Sequence, residues 1–378
     1  MKIGIVCPYN IFKGGGVQEV VFALQKGLIK KGHEALVISP APFNHEQKVP
    51  KGVALIGKAS VVKSFHTTSQ ISASIAPEEV DKLLEKEQFD ILHFHEPWVP
   101  MLSKQILTRS KSVNIATFHA KLPDTIMART IEKVVTPYTK SILKYLGLLT
   151  AVSNAAAQYV KTLKHQEITI VPNGIDLSKY KAKHQTSNLP SGQAGIKHQT
   201  ILYVGRLEKR KGVKYLIRAF NKLNALHPET RLIIAGDGPD RVKLENYVKA
   251  HGVRNVDFLG FISENKKLKL LQNADIFCSP ARYGESFGIV LLEAMASGCV
   301  VVAGDNAGYS SVLKGTGQIS LVEPKRTQDF VKKLELLLVD DKLRQVWKDW
   351  AAKEVKKYSY DKIIDQYEKV YLDALAQK

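Results

Sequence analysis

The stretch TILYVGRLEKRKGVKYLIRAFNKLNALHPETRLIIAGDG, residues 200–238, contains the pattern that decides the fold. It begins with a continuous apolar run at 200–206 and ends with another at 231–238, and between them apolar residues recur at helical spacing over 212–226. Continuous rather than alternating apolarity is typical of parallel strands that are buried on both faces. The stretch therefore predicts a strand–helix–strand unit of a doubly wound α/β domain.

The same alternation extends in both directions from this unit. Further strands are predicted at 2–9, 34–39, 90–95, 114–119, 148–153, 256–261, 275–280 and 300–305. Further helices are predicted at 17–31, 240–250, 287–297 and 360–375.

A change of composition lies near the boundary between two such domains. Residues 181–200 are polar with glycine and proline, which is typical of a loop. We predict two doubly wound Rossmann-like domains that face a central cleft, one at 1–172 and one at 173–358. The last segment, 359–378, is predicted to form a helix that packs back across the domains. Ligands of such sheets bind beyond the carboxyl ends of the strands.

Length and composition bound the class of protein. With 378 residues the chain exceeds one hydrophobic core, and 44% apolar and 24% charged residues are typical of a soluble globular protein. The three cysteines are scattered and form no C-x-x-C pair, so neither a disulfide framework nor a zinc site is predicted. We recognise no signal peptide and no apolar run of ~20 residues, and we therefore expect a cytoplasmic protein.

The net charge of +19 is unevenly distributed along the chain. Residues 1–100 carry 11 Lys/Arg and 10 Asp/Glu, whereas residues 101–164 carry 10 Lys/Arg and 2 Asp/Glu. Within that segment, residues 125–147 predict an amphipathic helix whose basic side carries Arg129, Lys133, Lys140 and Lys144. Either this helix packs on its own domain with a solvated basic face, or the face rests on an anionic membrane.

Three glycines, Gly14, Gly15 and Gly16, separate the first predicted strand from the first predicted helix. Glycine at this turn lets backbone N–H groups approach an anion at a helix N-terminus, but it also suits a tight turn without a ligand. The pattern is not G-x-G-x-x-G, which disfavours a nicotinamide enzyme.

A basic loop follows the strand at 200–206. Arg206 ends that strand and Lys211 precedes the next helix, so both cations can reach a point beyond the strand end. A guanidinium and an ammonium there suit a diphosphate whose charge grows as a bond breaks. The alternative is a solvated basic loop, because Lys209 and Arg210 occupy the same turn.

Two carboxylates, Glu285 and Glu293, flank the segment SFGIVLL. We predict Ser286 as a helix N-cap, and an anion site at the N–H groups of Phe287, Gly288 and Ile289. Glu285 would then accept from the hydroxyls of a sugar that is attached to the anion, and Glu293 from a second diol such as a ribose. The alternative for Glu293 is a surface position on an amphipathic helix.

These residues also carry a resemblance to a known family. The segment GESFGIVLLE is similar to the E-x7-E signature of retaining glycosyltransferases of family 4, which share the GT-B fold. The motifs GGGVQE, HFHEP, TFHA, AVSN, VPNGID, VGRLEKRKG and AGDGP occur in the family's order over most of the chain. The chain particularly resembles bacterial phosphatidylinositol mannosyltransferases.

The resemblance implies a role for each candidate residue on the donor side. Gly15 and Gly16 would approach the donor phosphates, and Arg206 and Lys211 would hold the diphosphate and stabilise it as the leaving group. Glu285 would bind the donor sugar. The remaining donor contacts implied are Phe287, Gly288 and Ile289 under phosphate and sugar, Glu293 on the ribose, and backbone groups around Ile262 at the base.

The resemblance also implies residues on the acceptor side. His119 matches the active-site histidine beside the transferred sugar, and Tyr9 and Gln18 match positions near the headgroup of a lipid acceptor. Trp98 departs from the pattern, because the mannosyltransferases favour a small polar residue after HEP.

We therefore expect a hexosyltransferase that moves mannose from GDP-mannose to a lipid-linked acceptor such as phosphatidylinositol, on the cytoplasmic face of the membrane. The same chemistry on a soluble sugar or glycan is the alternative, and a related epimerase is a further one. No metal and no other cofactor are expected, and no nucleic-acid partner, since a nucleic-acid-binding protein would leave the two-glutamate motif without a purpose.

Overall fold

Two separate sheets, one predominantly and one entirely parallel, organise the chain. The computed structural model describes residues 1–42, 48–64, 67–74, 76–121, 126–163, 167–180 and 199–377, with the backbone alone at 59–64, 67–74 and 126–134. Unit 1 comprises Met1–Gly174 and Tyr360–Lys378, and unit 2 comprises Ile175–Ser359. The predicted boundary followed residue 172, and the C-terminal segment belongs to unit 1.

Unit 1 contains an eight-stranded sheet in the order β4-β3-β2-β1-β5-β6-β7-β8. All neighbouring strands are parallel except β3 and β4, which form an antiparallel hairpin. The strands are β1 (Lys2–Val6), β2 (Glu34–Ala41), β3 (Val53–Ser64), β4 (Thr67–Ser74), β5 (Ile91–His95), β6 (Val113–Phe118), β7 (Leu148–Ala151) and β8 (Ile168–Ile170). The helices are α1 (Gly16–Lys30), α2 (Pro77–Glu87), α3 (Leu102–Leu107), α4 (Ile126–Leu143), α5 (Asn154–Leu163) and, after unit 2, α13 (Tyr360–Ala376).

Helix α13 packs on unit 1 against α1. Leu24 and Leu28 of α1 share an apolar core with Ile364 and Tyr371 of α13. The helices approach most closely at Gly27, where a Cβ would overlap the Ile364 side chain. The absence of a side chain at this position therefore permits the contact.

Unit 2 contains a parallel six-stranded sheet in the order β11-β10-β9-β12-β13-β14. Its strands are β9 (Thr200–Val204), β10 (Arg231–Ala235), β11 (Val256–Gly260), β12 (Ile276–Ser279), β13 (Val300–Gly304) and β14 (Leu321–Val322). Its α-helices are α6 (Leu177–Tyr180), α7 (Val213–Leu226), α8 (Arg241–Ala250), α9 (Glu264–Asn273), α10 (Ile289–Ala296), α11 (Thr327–Val339) and α12 (Asp341–Glu354). Short 3-10 helices lie at Lys209–Lys211, Tyr309–Ser311, Gly315–Ser320 and Val355–Tyr358.

In each sheet the strand order reverses at one place. The reversal falls between β1 and β5 in unit 1 and between β9 and β12 in unit 2. Connections leave such a point in opposite directions, which opens a crevice at the carboxyl ends of the two strands, where doubly wound sheets bind ligands. A ligand site is therefore expected at the segments that follow these four strands.

Two expectations need correction. The predicted helix at 287–297 begins only at Ile289, because Gly288 adopts a left-handed φ of 112° and forms the N-cap. The β3–β4 hairpin was not predicted, since its Ser-, Thr- and Lys-rich strands lack a continuous apolar run. Most of the predicted loop, 181–198, lies outside the described residues.

Candidate active site

The segments after β9 and β12 bring Glu285 and Lys211 together in unit 2. The Lys211 Nζ lies 2.8 Å from Glu285 Oε1, and both side chains are largely buried, with exposures of 17% and 12%. Arg206, at the end of the same β9 segment, is exposed, and its carbonyl accepts a 2.9 Å hydrogen bond from the Tyr203 hydroxyl. A carboxylate, a paired ammonium and an exposed guanidinium therefore surround the switch point of this sheet.

Arg210 belongs to this cluster, although the sequence placed it only in the alternative of a solvated basic loop. Its Nη1 donates to Glu285 Oε1 at 2.7 Å and to the Gly284 carbonyl at 3.3 Å. Its Nη2 lies 2.7 Å from Glu208 Oε1, in an ion pair whose angles are not those of a hydrogen bond. Arg210 therefore pairs with both Glu285 and a second, buried carboxylate, Glu208. The run E-K-R-K at 208–211 was the only sequence signal for this role of Arg210.

The segment between Glu285 and α10 is held by close backbone packing. A Cβ at Gly308 would overlap the Glu285 carbonyl and lie 3.0 Å from the Phe287 amide nitrogen. A Cβ at Gly288 would come within 2.7 Å of the Tyr309 ring, whose hydroxyl bonds Ser279 at 2.7 Å. The predicted anion site at Phe287, Gly288 and Ile289 is thus wrong in its helix start, since only Ile289 lies in α10.

Glu293 is buried within unit 2, which contradicts the surface alternative for this residue. Its Oε1 accepts from the Tyr180 hydroxyl at 2.9 Å and from Lys267 Nζ at 2.8 Å. Burial alone would lower the pKa of Lys267, but Glu293 and Glu264 together raise it above its ordinary value. Tyr180 and Lys267 were not predicted, because each lies far from the motif in sequence. Ile262 follows β11 and is half-buried, and Phe261 beside it is 89% exposed.

The glycine turn of unit 1 lies between β1 and α1. Gly15 is the N-cap of α1 with an extended φ of 179°, and Gly16 is its first residue. Gln18 Nε2 donates to the Asn10 carbonyl at 3.2 Å. Burial, with the nearby charge of Glu96, raises the pKa of Tyr9 well above its ordinary value. These four predicted residues therefore lie at the carboxyl end of β1, on the switch point of unit 1.

His119 lies at the end of β6 and is buried. Its Nε2 is 2.8 Å from His95 Nδ1, and burial lowers its pKa to about 4. The backbone N–H groups of His119 and Ala120 both donate to Glu96 Oε1. Burial raises the pKa of Glu96 to about 8. His95 and Glu96 lie within the motif HFHEP, but no role was predicted for either residue. A charged residue directly after a buried strand was the signal that could have found Glu96.

The predicted basic helix is described only in part. Ile142 and Leu146 are buried, whereas Lys140, within α4, and Lys144, just after it, are exposed. The side chains of Arg129 and Lys133 lie outside the described residues. Trp98 is buried against Phe118 and Tyr159, with ring centroids at 5.7 and 5.5 Å.

The described residues contain neither a candidate metal centre nor a helix that could span a membrane. No group of three or more His, Cys, Asp or Glu side chains there could hold a metal ion. Across the same ranges, no helix is long and apolar enough to cross a membrane. Cys7, Cys278 and Cys299 are buried and unpaired.

The family models that match this chain and a known protein similar to it are all glycosyltransferases. Residues 14–179 match Glycosyltransferase Family 4, and residues 188–354 match Glycosyl transferases group 1. A phosphatidyl-myo-inositol mannosyltransferase of Mycolicibacterium smegmatis is 31% identical over 98% of this chain and 93% of its own length.

Solved structures of known proteins share the fold of this chain. A sucrose-phosphate synthase from Thermosynechococcus elongatus superposes with a TM-score of 0.77 at 18% identity, covering 100% of both chains. Anabaena HepE in complex with UDP and glucose superposes with a TM-score of 0.75 at 18% identity, covering 99% of this chain and 100% of its own. The predicted fold class, two Rossmann-like domains of the GT-B type, is confirmed.

Proposed function

Because the chain belongs to the GT-B glycosyltransferases with family 4 and group 1 domains, we propose that it is a retaining hexosyltransferase. The donor is a nucleotide sugar, GDP-mannose, and the acceptor is a lipid-linked polyol such as phosphatidylinositol. The observation that carries the proposal is the Glu285 carboxylate, which Arg210 and Lys211 hold at the switch point of unit 2.

The charges of this cluster suggest a division of roles. Lys211 exchanges its contact with Glu285 for the donor diphosphate, and the exposed Arg206 binds the same group. Arg210 keeps its bonds to Glu285 and the Gly284 carbonyl, so the freed carboxylate stays in place to accept from the hexose hydroxyls. As the bond between the anomeric carbon and the diphosphate breaks, Arg206 and Lys211 stabilise the charge that develops on the leaving group.

The nucleoside end of the donor is proposed to lie toward Glu293. Its carboxylate is preorganised by Tyr180 and Lys267, so it can accept from a ribose diol without first being ordered. The residues after β11, including Ile262, would contact the base. We propose that two cations and backbone amides supply the charge stabilisation, and that no metal and no other cofactor are needed.

The acceptor side rests on the relatives and on the charge of unit 1. The mannosyltransferase of M. smegmatis is named for phosphatidyl-myo-inositol, and Lys140 and Lys144 offer exposed cations for an anionic leaflet. We place the enzyme peripherally on the inner face of the cell membrane. A soluble acceptor is the second candidate, favoured by the bulky, buried Trp98 at the position where a small polar residue was expected.

A matrix of donors and acceptors tests the proposal. GDP-mannose, UDP-glucose and other nucleotide sugars are each offered with phosphatidylinositol vesicles and with soluble sugars, and released nucleoside diphosphate and labelled lipid are measured. We expect GDP release and mannosylated lipid from the first pair alone. Transfer only to soluble sugars would favour the second candidate, and no diphosphate release from any donor would overturn the glycosyl-transfer proposal.

A further inference from the structure

Three histidines lie in a row beneath the carboxyl ends of β5 and β6. His93 and His95 alternate along β5, and His119 follows β6. The His95 ring lies between the other two, with centroids 4.3 Å from His93 and 5.0 Å from His119. All three are buried, and burial lowers the pKa of each below its ordinary value. Each neutral imidazole carries one hydrogen, on either Nδ1 or Nε2, so rings that share a hydrogen bond must adopt compatible tautomers.

The contact between His95 Nδ1 and His119 Nε2 is short enough to require one hydrogen between these two atoms. The distance is 2.8 Å, so one nitrogen donates and the other accepts. The other nitrogen of His95, Nε2, is buried and has no hydrogen-bond partner among the residues that the structure describes. If Nε2 carried the hydrogen, a donor would be orphaned in the interior, whereas a bare lone pair there costs less. His95 therefore carries its hydrogen on Nδ1 and donates to His119.

The remaining contacts of His119 agree with this assignment. With Nε2 accepting, the neutral His119 ring carries its hydrogen on Nδ1, and the Asn173 side chain lies close enough to raise the pKa of His119 against the effect of burial. The Asn173 Oδ1 atom is buried and has no hydrogen-bond partner among the described residues, so an acceptor is available beside the ring. The backbone N–H of His119 is separately held by Glu96. His119 is thus held through its ring by His95 and through its backbone by Glu96.

We propose that His95 is the positioning residue of this site, and that its Nδ1–H holds the His119 ring in one orientation and in the Nδ1–H tautomer. His93 supports this arrangement from below. Its Nδ1 bonds the Tyr371 hydroxyl at 2.7 Å and its Nε2 bonds Thr117 at 2.6 Å, so the ring that packs against His95 is itself immobile. The catalytic consequence, though not the tautomer, rests on the function proposed above.

Nitrogen-15 spectra of the imidazoles test the tautomer on the intact protein without any assay of activity. His119 is assigned by the signals that disappear in His119→Gln. We expect wild-type His119 to carry its hydrogen on Nδ1 at neutral pH. His95→Asn, whose amide nitrogen replaces the donor at Nδ1, should preserve that signature, and His95→Leu should lose it. A wild-type His119 protonated on Nε2, or an unchanged signature in His95→Leu, would overturn the proposal.

Kinetics then separate positioning from folding. His95→Leu should lower kcat by about 10²-fold with little change in the donor KM, because a misplaced group beside the reacting centre has a cost of this order. His95→Asn should recover most of that loss. Thr150→Val is the matched control, since Thr150 belongs to the same buried polar network, with hydrogen bonds to Thr117 at 2.5 Å and to the Ala116 carbonyl at 3.1 Å. It should retain wild-type kcat.

The outcomes distinguish this proposal from the proposed function. Equal kcat losses in His95→Leu, His95→Asn and Thr150→Val would reduce His95 to a packing role and overturn the positioning proposal. If the wild-type protein transfers sugar from no donor, the function fails, and the spectra still decide the tautomer.

Discussion

Glu285 and Glu96 both follow a strand at the switch point of a parallel sheet, yet opposite chemistry surrounds them. Glu285 meets two cations, Arg210 and Lys211, each within 2.8 Å. Glu96 meets the backbone N–H groups of His119 and Ala120 in a fully buried position. The first environment suits a site that exchanges charge with a ligand, and the second suits a site that keeps a fixed shape. The two sheets thus use one topology for two purposes.

Removing the charge of Glu285 should have the largest effect. Glu285→Gln keeps the shape of the side chain but weakens its acceptance of sugar hydroxyls and its pairing with Arg210 and Lys211. We expect kcat to fall by about 10³-fold, with nucleoside diphosphate affinity largely intact by calorimetry. Equal losses of transfer and of GDP binding would show instead that Glu285 acts on the diphosphate end.

The cations come next in size. Arg206→Gln and Lys211→Gln should each lower kcat/KM by about 10²-fold and weaken GDP binding, since both are proposed to contact the leaving group. Lys209→Gln is the matched control, because Lys209 is an exposed cation in the same loop. Full activity in both variants, or an equal loss in the control, would contradict the diphosphate assignment.

The sequence predicted one of these regions better than the other, for physical reasons. Glu285 and Lys211 were found because charged residues beside buried strands stand out from an apolar background. Arg210 was not, since spacing alone cannot tell a guanidinium that pairs with a buried carboxylate from a solvated one. His95 was missed because, within an apolar run, it reads as part of the strand, and its role depends on a neighbour 24 residues away.

Helix starts and hairpins were predicted least well. The start of α10 depends on the left-handed φ of Gly288, where the Tyr309 ring, from outside the local sequence, leaves no room for a side chain. The β3–β4 hairpin depends on pairing with β2 rather than on an apolar pattern of its own. In both places tertiary contacts override local preference.

The buried character of Glu96 predicts a smaller, pH-dependent effect on stability. Its pKa is about 8 in the folded protein against an ordinary value of 4.5, so the folded state retains a proton that the unfolded chain releases. Its contribution is therefore complete below pH 4.5 and is lost as the pH rises toward 8.

The neutral variant Glu96→Gln isolates the contribution of Glu96 protonation to the free energy of unfolding. The free energy of unfolding of the wild type, relative to the variant, should fall by roughly 3 to 4 kcal/mol between pH 5 and pH 8 in urea titrations. Comparing the two proteins at each pH cancels the titration of the neighbouring histidines to first order. A difference that does not change with pH would mean that Glu96 is charged in the folded protein, and the contrast with Glu285 would disappear.

The smallest expected effect concerns the surface of unit 1, whose interior beside Glu96 is neutral but whose α4 region carries exposed cations. Near an anionic leaflet each exposed lysine contributes about 1 kcal/mol, so Lys140→Gln with Lys144→Gln should weaken binding to anionic vesicles by about 30-fold. Lys342→Gln with Lys353→Gln on α12 removes the same charge from exposed positions of unit 2 and is the control.

Co-sedimentation should require anionic lipid and decrease with salt. Because the side chains of Lys140 and Lys144 are both exposed, their loss should leave folding intact. Equal weakening by both pairs would mean that net charge, rather than this face, attracts the membrane, and binding to neither type of vesicle would favour the soluble acceptor.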